Sequence, residues 1–390
     1  MSLGEQPSLG ERFQAVGECL KGACPHWELG TSYEGWMEAH RREKDRLVPL
    51  VVSKLRQHMR DMSAHQRIGR WEVYAVDGSD GECPRTQANQ EASSDKGRPG
   101  GTPLLSMTTL YHLGLGLPWS FRVGPSTQSE REHLHQMLDD LPEGSLLVAD
   151  AGFISYALAR EMMEKKRHFL LRVGGNVNLL KNLGYGYEVE GETIYLWPLD
   201  QQDHQQPPLK MRLIVIRKLG KNPIYLVTDV LDASELTAEE AEEIYYGRWN
   251  IELFYRDTKQ TLGHDGVQSR TPTNSQLEMT WALIGVWLLK LMTIRQLDDA
   301  KIAPSKASVA QARNVVRRAL RNAARPRPRS SFKEAMRACQ IDRYCRAQPK
   351  ASRNYPRKKR YQLPQPPKIK LATEPQRQLA QQLLSILVAR

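Results

Sequence analysis

The chain has 390 residues, 40% hydrophobic content and a formal net charge of +12. It can bury a full core and hold a second domain, and it is no disordered polycation. The charge is uneven: residues 301–370 carry 21 Lys or Arg against two acids, Glu334 and Asp342, which points to a polyanion partner or to a solubilising tail. Five scattered cysteines without a CxxC pair argue against a disulfide framework or a structural zinc site. The N-terminus shows no signal segment. The longest apolar stretch, 279–289, is too short for a bilayer, and Lys290 interrupts its continuation. A cytoplasmic, nucleoid-associated protein without a membrane partner is expected.

Taken in order, residues 1–70 form an N-terminal region whose first thirty positions are punctuated by Gly4, Gly10, Gly17 and Gly22. A helix is predicted over 35–70. The core should start at Trp71, with a first part spanning 71–184. Strand-like residues 71–76 end in Asp77-Gly78, and polar residues 81–103 read as a long loop. Strands over 104–115 and 119–123, a helix over 129–141, a strand over 146–149 ending in Asp150, a helix over 154–165 and a strand over 168–173 follow. This order predicts an α/β fold around a mixed sheet. Residues 185–235 read as a β-rich insertion, with strands over 186–190, 193–197, 210–217 and 223–230 and a loop over 200–208. Core completion over 236–300 begins with the capping box Thr237-Ala-Glu-Glu240 and ends in an apolar helix over 276–295. The basic C-terminal region, 301–390, holds a helix over 306–323, a break at 325–329, an extended or disordered arm over 346–370 and an amphipathic helix over 374–388.

Two acids at strand ends, Asp77 and Asp150, and one on a later helix, Glu252, are the candidate chemistry. Neighbouring strand ends would set the aspartates side by side, where carboxylates repel unless a cation intervenes. Mg²⁺ prefers such oxygen ligands, and two divalent ions can activate a nucleophile and offset charge on a phosphodiester. Either aspartate alone is equally at home as a turn residue before Gly or its small-residue counterpart. Tyr245, Arg248, Glu252 and Lys259 are spaced 3, 4 and 7 residues apart. At ~100° per residue they share one stripe of a continuous helix, with Ile244, Ile251, Leu253 and Phe254 on the packing side. The stripe fits a metal ligand flanked by phosphate-binding groups; it also fits a surface ion-pair ladder.

The pattern Tyr-x2-Arg-x3-Glu-x6-Lys resembles the signature of IS4-family DDE transposases, and Asp-Ala-Gly-Phe at 150–153 resembles that family's second motif. The resemblance covers residues 71–292. It implies an RNase H-like core interrupted by a β insertion, with Asp77, Asp150 and Glu252 as the metal-binding catalytic triad. It implies two Mg²⁺ ions, replaceable by Mn²⁺, and DNA contacts from Tyr245, Arg248 and Lys259. Such relatives cut transposon ends and join the released 3′ ends to target DNA, so the expected partners are double-stranded DNA with terminal inverted repeats, target DNA and a second copy of the chain. Trp197 would stack a flipped base, or is a sheet-core tryptophan. Arg172 would contact phosphate, or pair with a nearby acid. A structure-selective nuclease and a non-catalytic DNA-binding derivative are the alternatives.

Overall fold

The computed structural model describes residues 3–4, 6–28, 30–62, 67–93, 101–322, 329–341 and 365–388. In chain order, α1 (Leu9–Ala23) and α2 (Tyr33–Arg60) precede β1 (Val73–Glu82), α3 (Gln87–Ser93), β2 (Leu104–His112), β3 (Leu117–Pro125) and α4 (Glu130–His135). Then come β4 (Leu146–Ala149), α5 (Tyr156–Glu164), β5 (His168–Val173), β6 (Asn178–Lys181), β7 (Thr193–Leu196), α6 (Leu199–Asp203), β8 (Leu209–Ile216) and β9 (Ile224–Thr228). The last elements are α7 (Ala238–Gly247), α8 (Asn250–Arg256), α9 (Pro272–Asp298), α10 (Val309–Arg321), α11 (Arg329–Arg337), β10 (Lys368–Leu371) and α12 (Glu374–Val388). This is a mixed α/β fold with a many-stranded mixed sheet and helical extensions, consistent with an RNase H-like core. All but the last residue of the break expected at 325–329, and most of the arm expected over 346–370, lie outside the described residues.

The chain divides into two compact units. Unit 1 comprises the chain up to residue 68, residues 75–140 and the described residues from 249 to 341. It holds β1 from Ala75 onward, followed by β2 and β3, which pair antiparallel from Leu105↔Pro125 to His112↔Leu117. Its central helix is α9, started by Pro272 at a position where a missing N–H costs nothing. α9 is apolar on every face because it is packed on several sides: it lies against α2, β3, α10 and α11. Trp287 is fully buried and points its Nε1 at the Met59 sulfur, 3.3 Å away. By length and composition α9 would cross a bilayer, yet 67% of its most apolar stretch is buried inside unit 1, as in a core helix. Lys290, expected to interrupt it, is 9% exposed and donates to the Tyr111 hydroxyl at 3.1 Å.

Unit 2 comprises residues 69–74 and 141–248 and the described residues after 364. Its strand order is β10-β6-β7-β8-β9-β5-β4, with the start of β1 next to β4. β4 and β5 run parallel, β5 and β9 antiparallel, and β8 joins β9 antiparallel, so the strands of the β-rich segment extend the strand set that carries Asp150. No strand forms over 186–190. Gly184, Gly186 and Gly191 take φ of 70°, 78° and 80°, which turn the chain instead, and β7 lies between β6 and β8. Part of the loop expected over 200–208 is the short helix α6, and the loop expected over 81–103 holds α3. β10 pairs parallel with β6, giving unit 2 a strand from the far C-terminus.

At the start of β5, His168 Nδ1 lies 2.7 Å from Asp229 Oδ2, and Asp229 Oδ1 accepts from the Phe169 amide at 2.8 Å. The hydrogen bond with Asp229 raises the His168 pKa above its usual value, against the effect of burial. The pair therefore stabilises fully below the unfolded-state pKa of about 6.5, and its contribution fades as pH rises through the raised folded value. His168 is partly exposed, so the expected size is at most about 1 kcal/mol. Asp229→Asn should flatten this alkaline fall in chemical-denaturation midpoints measured from pH 6 to 9; a fall of unchanged steepness would exclude the pair as its source.

Candidate active site

In unit 1, Asp77 lies in the middle of β1 and not at its end, correcting the strand-end expectation. The strand runs on past Asp77-Gly78 beside β2, and residues 265–267 meet its far end. Glu82 donates its amide to the Asp265 carbonyl at 3.1 Å and accepts from the Val267 amide at 2.8 Å. The Gly78 amide donates to Asp77 Oδ1 at 2.9 Å. A Cβ at Gly78 would sit 1.9 Å from Glu130 Oε1. Glycine thus lets the Glu130 carboxylate lie against β1, where burial and the charges of Asp77 and Asp80 push its pKa up.

Glu252 is on α8, also in unit 1. The helix that carries it is not continuous, which corrects the single-stripe reading. α7 ends at Gly247, α8 begins at Asn250, and a π turn follows over Asp257–Thr261. Glycine weakens a helix interior, and Thr258 Oγ1 donates back to the Phe254 carbonyl at 2.9 Å, a bond that bends helices. The wide turn closes with the Leu262 amide on the Asp257 carbonyl at 3.0 Å. Lys259 sits inside it, so the ~100° step fails before reaching that residue. Arg313 of α10 donates to the Thr261 carbonyl and holds the end of the turn. Leu253, expected in the packing, is 43% exposed beside Trp249 at 57%.

Tyr255, three residues beyond Glu252, is 5% exposed and donates to the Asp77 carbonyl at 2.9 Å, with the Met107 carbonyl at 3.3 Å as second acceptor. Burial raises its pKa and keeps the hydroxyl a donor. Neither Tyr255 nor Glu130 stands out in the sequence. Tyr255 shares a helical side with Glu252, but its acceptor is remote in the chain; Glu130 reads as an ordinary first-turn acid.

In unit 2, Asp150 directly follows β4, as expected. The parallel register Ala149↔Leu171 brings Arg172 alongside it. Arg172 donates to Asp150 Oδ1 at 3.3 Å, and the Arg248 guanidinium lies 3.7 Å from Oδ2. Arg248 also sits 5.6 Å from the centre of the Tyr245 ring. Burial, then the Asp150 charge, raises the Tyr245 pKa against the opposing pull of Arg172 and Arg248. Arg172 is raised as well: burial works against it, and Tyr245 and Asp150 prevail. A cavity of about 320 Å³ opens beside this cluster, lined by Asp150, Arg172, Gly174, Gly175, Tyr225 and Gln365 among others. Trp197 is 3% exposed and donates its Nε1 to the Gln206 carbonyl at 2.7 Å. That enclosure fits the alternative reading of a sheet-core tryptophan.

Among the described residues, no three acids, histidines or cysteines meet in a metal-holding geometry. Within unit 1 the charges of Asp77 and Asp80 reach Glu130, and a conflict among carboxylates of this kind is one that a hard cation relieves.

Residues 70–288, more than half of the chain, match the family model described as Transposase DDE domain. The chain belongs to this transposase family. Over 298 residues it is 25% identical to Transposase InsG for insertion sequence element IS4 of Escherichia coli (strain K12), covering 73% of this chain and 66% of that protein. Over 190 residues it is 21% identical to the putative transposase for insertion sequence element IS4SA of Synechocystis sp., covering 47% of this chain and 52% of that protein. The chain thus spans just under two thirds of the first relative and about half of the second. A solved synaptic complex of piggyBac transposase with hairpin DNA is similar over 85% of this chain and 76% of that one, at 10% identity and a TM-score of 0.41, too slight a likeness to carry an argument.

Proposed function

We propose that this protein is a DNA transposase that cuts at transposon ends and transfers the released 3′ ends into target DNA. Asp77, Asp150 and Glu252 are its catalytic acids and would hold two Mg²⁺ or Mn²⁺ ions. The observation that carries the reading is the gathering of Arg172, Tyr245 and Arg248 on Asp150 within unit 2. Two of these belong to the signature, and a buried arginine beside a tyrosine phenol is suited to a phosphate next to an acid.

In this reading the bound metals supply charge for the attacked phosphate and for its nucleophile, a water in cleavage and a 3′-hydroxyl in joining. Arg248 and Arg172 hold Asp150 in place and face the phosphate, and Tyr245 donates to the same backbone. Lys259, re-aimed by the π turn, contacts DNA next to Glu252, and the basic 301–370 segment neutralises flanking phosphates. A homodimer on two terminal inverted repeats is the working form, at the nucleoid.

The decisive experiment incubates the protein with precleaved end DNA, whose sequence comes from the inverted repeats bordering the gene, and a target plasmid in Mg²⁺. Joined product is the expected result. Hydrolysis without joining would make the protein a nuclease on the same core, and DNA binding without either reaction would make it a non-catalytic derivative.

A further inference from the structure

Tyr255 does more than satisfy a buried hydroxyl. Its acceptor, the Asp77 carbonyl at 2.9 Å, belongs to the peptide unit whose other end is the Gly78 N–H. That N–H donates to Asp77 Oδ1 at 2.9 Å. A peptide unit is planar and stiff, so a hold on its carbonyl also sets the direction of its N–H. The chain of contacts therefore runs from the Tyr255 hydroxyl through one rigid plane to the Asp77 carboxylate. It starts on α8, three residues from Glu252, where side chains are helical neighbours. Every group named lies in unit 1.

We propose that Tyr255 is a positioning residue that fixes the aim of the Asp77 carboxylate relative to Glu252 through the Asp77–Gly78 peptide. The role of the two acids rests on the function proposed above; the hydrogen-bonded chain does not. A tyrosine here serves both needs, since its ring fills the space beneath α8 while its hydroxyl reaches β1. The second acceptor, the Met107 carbonyl at 3.3 Å, keeps the hydroxyl between β1 and β2.

The test is Tyr255→Phe, which removes one oxygen and keeps the ring. Tyr156→Phe is the control, because Tyr156 makes a comparable bond, donating to the Pro207 carbonyl at 2.6 Å in unit 2. Without metal, amide exchange of the peptide containing Gly78 should quicken in Tyr255→Phe and not in the control. Mn²⁺ binding to the full chain, read by electron paramagnetic resonance with no turnover, should weaken roughly tenfold, the scale for losing a partner that orients a ligand. End cleavage should recover as Mn²⁺ is raised. Unchanged exchange at Gly78 would overturn the proposal. So would wild-type Mn²⁺ affinity in Tyr255→Phe. Failure of the wild-type protein to bind Mn²⁺, with exchange at Gly78 still quickened in the variant, would instead overturn the metal role of the acids and leave Tyr255 as a backbone brace only.

Discussion

Glu252→Gln should bind transposon-end DNA and leave it uncut. The substitution keeps size and hydrogen-bonding capacity and removes the charge. Among the described residues the Glu252 side chain makes no hydrogen bond or ion pair, and it is partly exposed on α8, so folding should change by no more than about 0.5 kcal/mol. Catalysis has no such tolerance. If Glu252 is a metal ligand, a neutral amide weakens the hold on the cation just where phosphate charge must be offset, and a loss on the order of 10³-fold is expected. Denaturing gels would follow cleavage and joining, gel shifts would follow binding, and a thermal melt would check the fold. Strand transfer at the wild-type rate would remove Glu252 from the chemistry and with it the assignment of the three acids.

How far the sequence reaches is clear from individual residues. Asp150 was legible because four apolar residues end in it, and its partner Arg172 because both parallel strands announce themselves by local pattern. Asp77 was legible as a residue and misjudged in its setting. The strand runs on beside β2 and meets residues 265–267 at Glu82, a contact between residues far apart in the chain that no local pattern encodes. The signature residues were identified by spacing, but the stripe built from them assumed one unbroken helix. Gly247 stands at the first break; the π turn at 257–261 depends on back-bonding by Thr258 and on Arg313 from α10. Trp197 had two readings that composition alone could not separate, and only its enclosure in unit 2 favours core packing. β10 escaped notice for a related reason: a short Lys-Ile-Lys-Leu edge strand becomes a strand because β6 is beside it.

Arg248 is where charge and geometry part company, so two substitutions there should behave differently. Its side chain is 6% exposed, lies 3.7 Å from Asp150 Oδ2 and rests against the Tyr245 ring. Arg248→Ala removes the charge, the fork of donors and the packing at once. End cleavage should fall roughly 10- to 100-fold, as expected when a partner that orients a ligand is lost. If the guanidinium also meets a phosphate, the slope of log affinity against log salt should drop by about one. Arg248→Lys keeps the charge and loses the planar fork. It should keep most of the salt slope yet cleave slowly, because an ammonium on a flexible stem cannot brace Asp150 and a phosphate together. Arg172 shares the carboxylate, so the double variant Arg172→Ala/Arg248→Ala should depart from additivity. A wild-type salt slope in Arg248→Ala would confine the residue to bracing Asp150. Wild-type cleavage in both single variants would break the link between the signature arginine and the second acid, since a buried cation that can be deleted without effect neither aims a ligand nor binds the strand being cut.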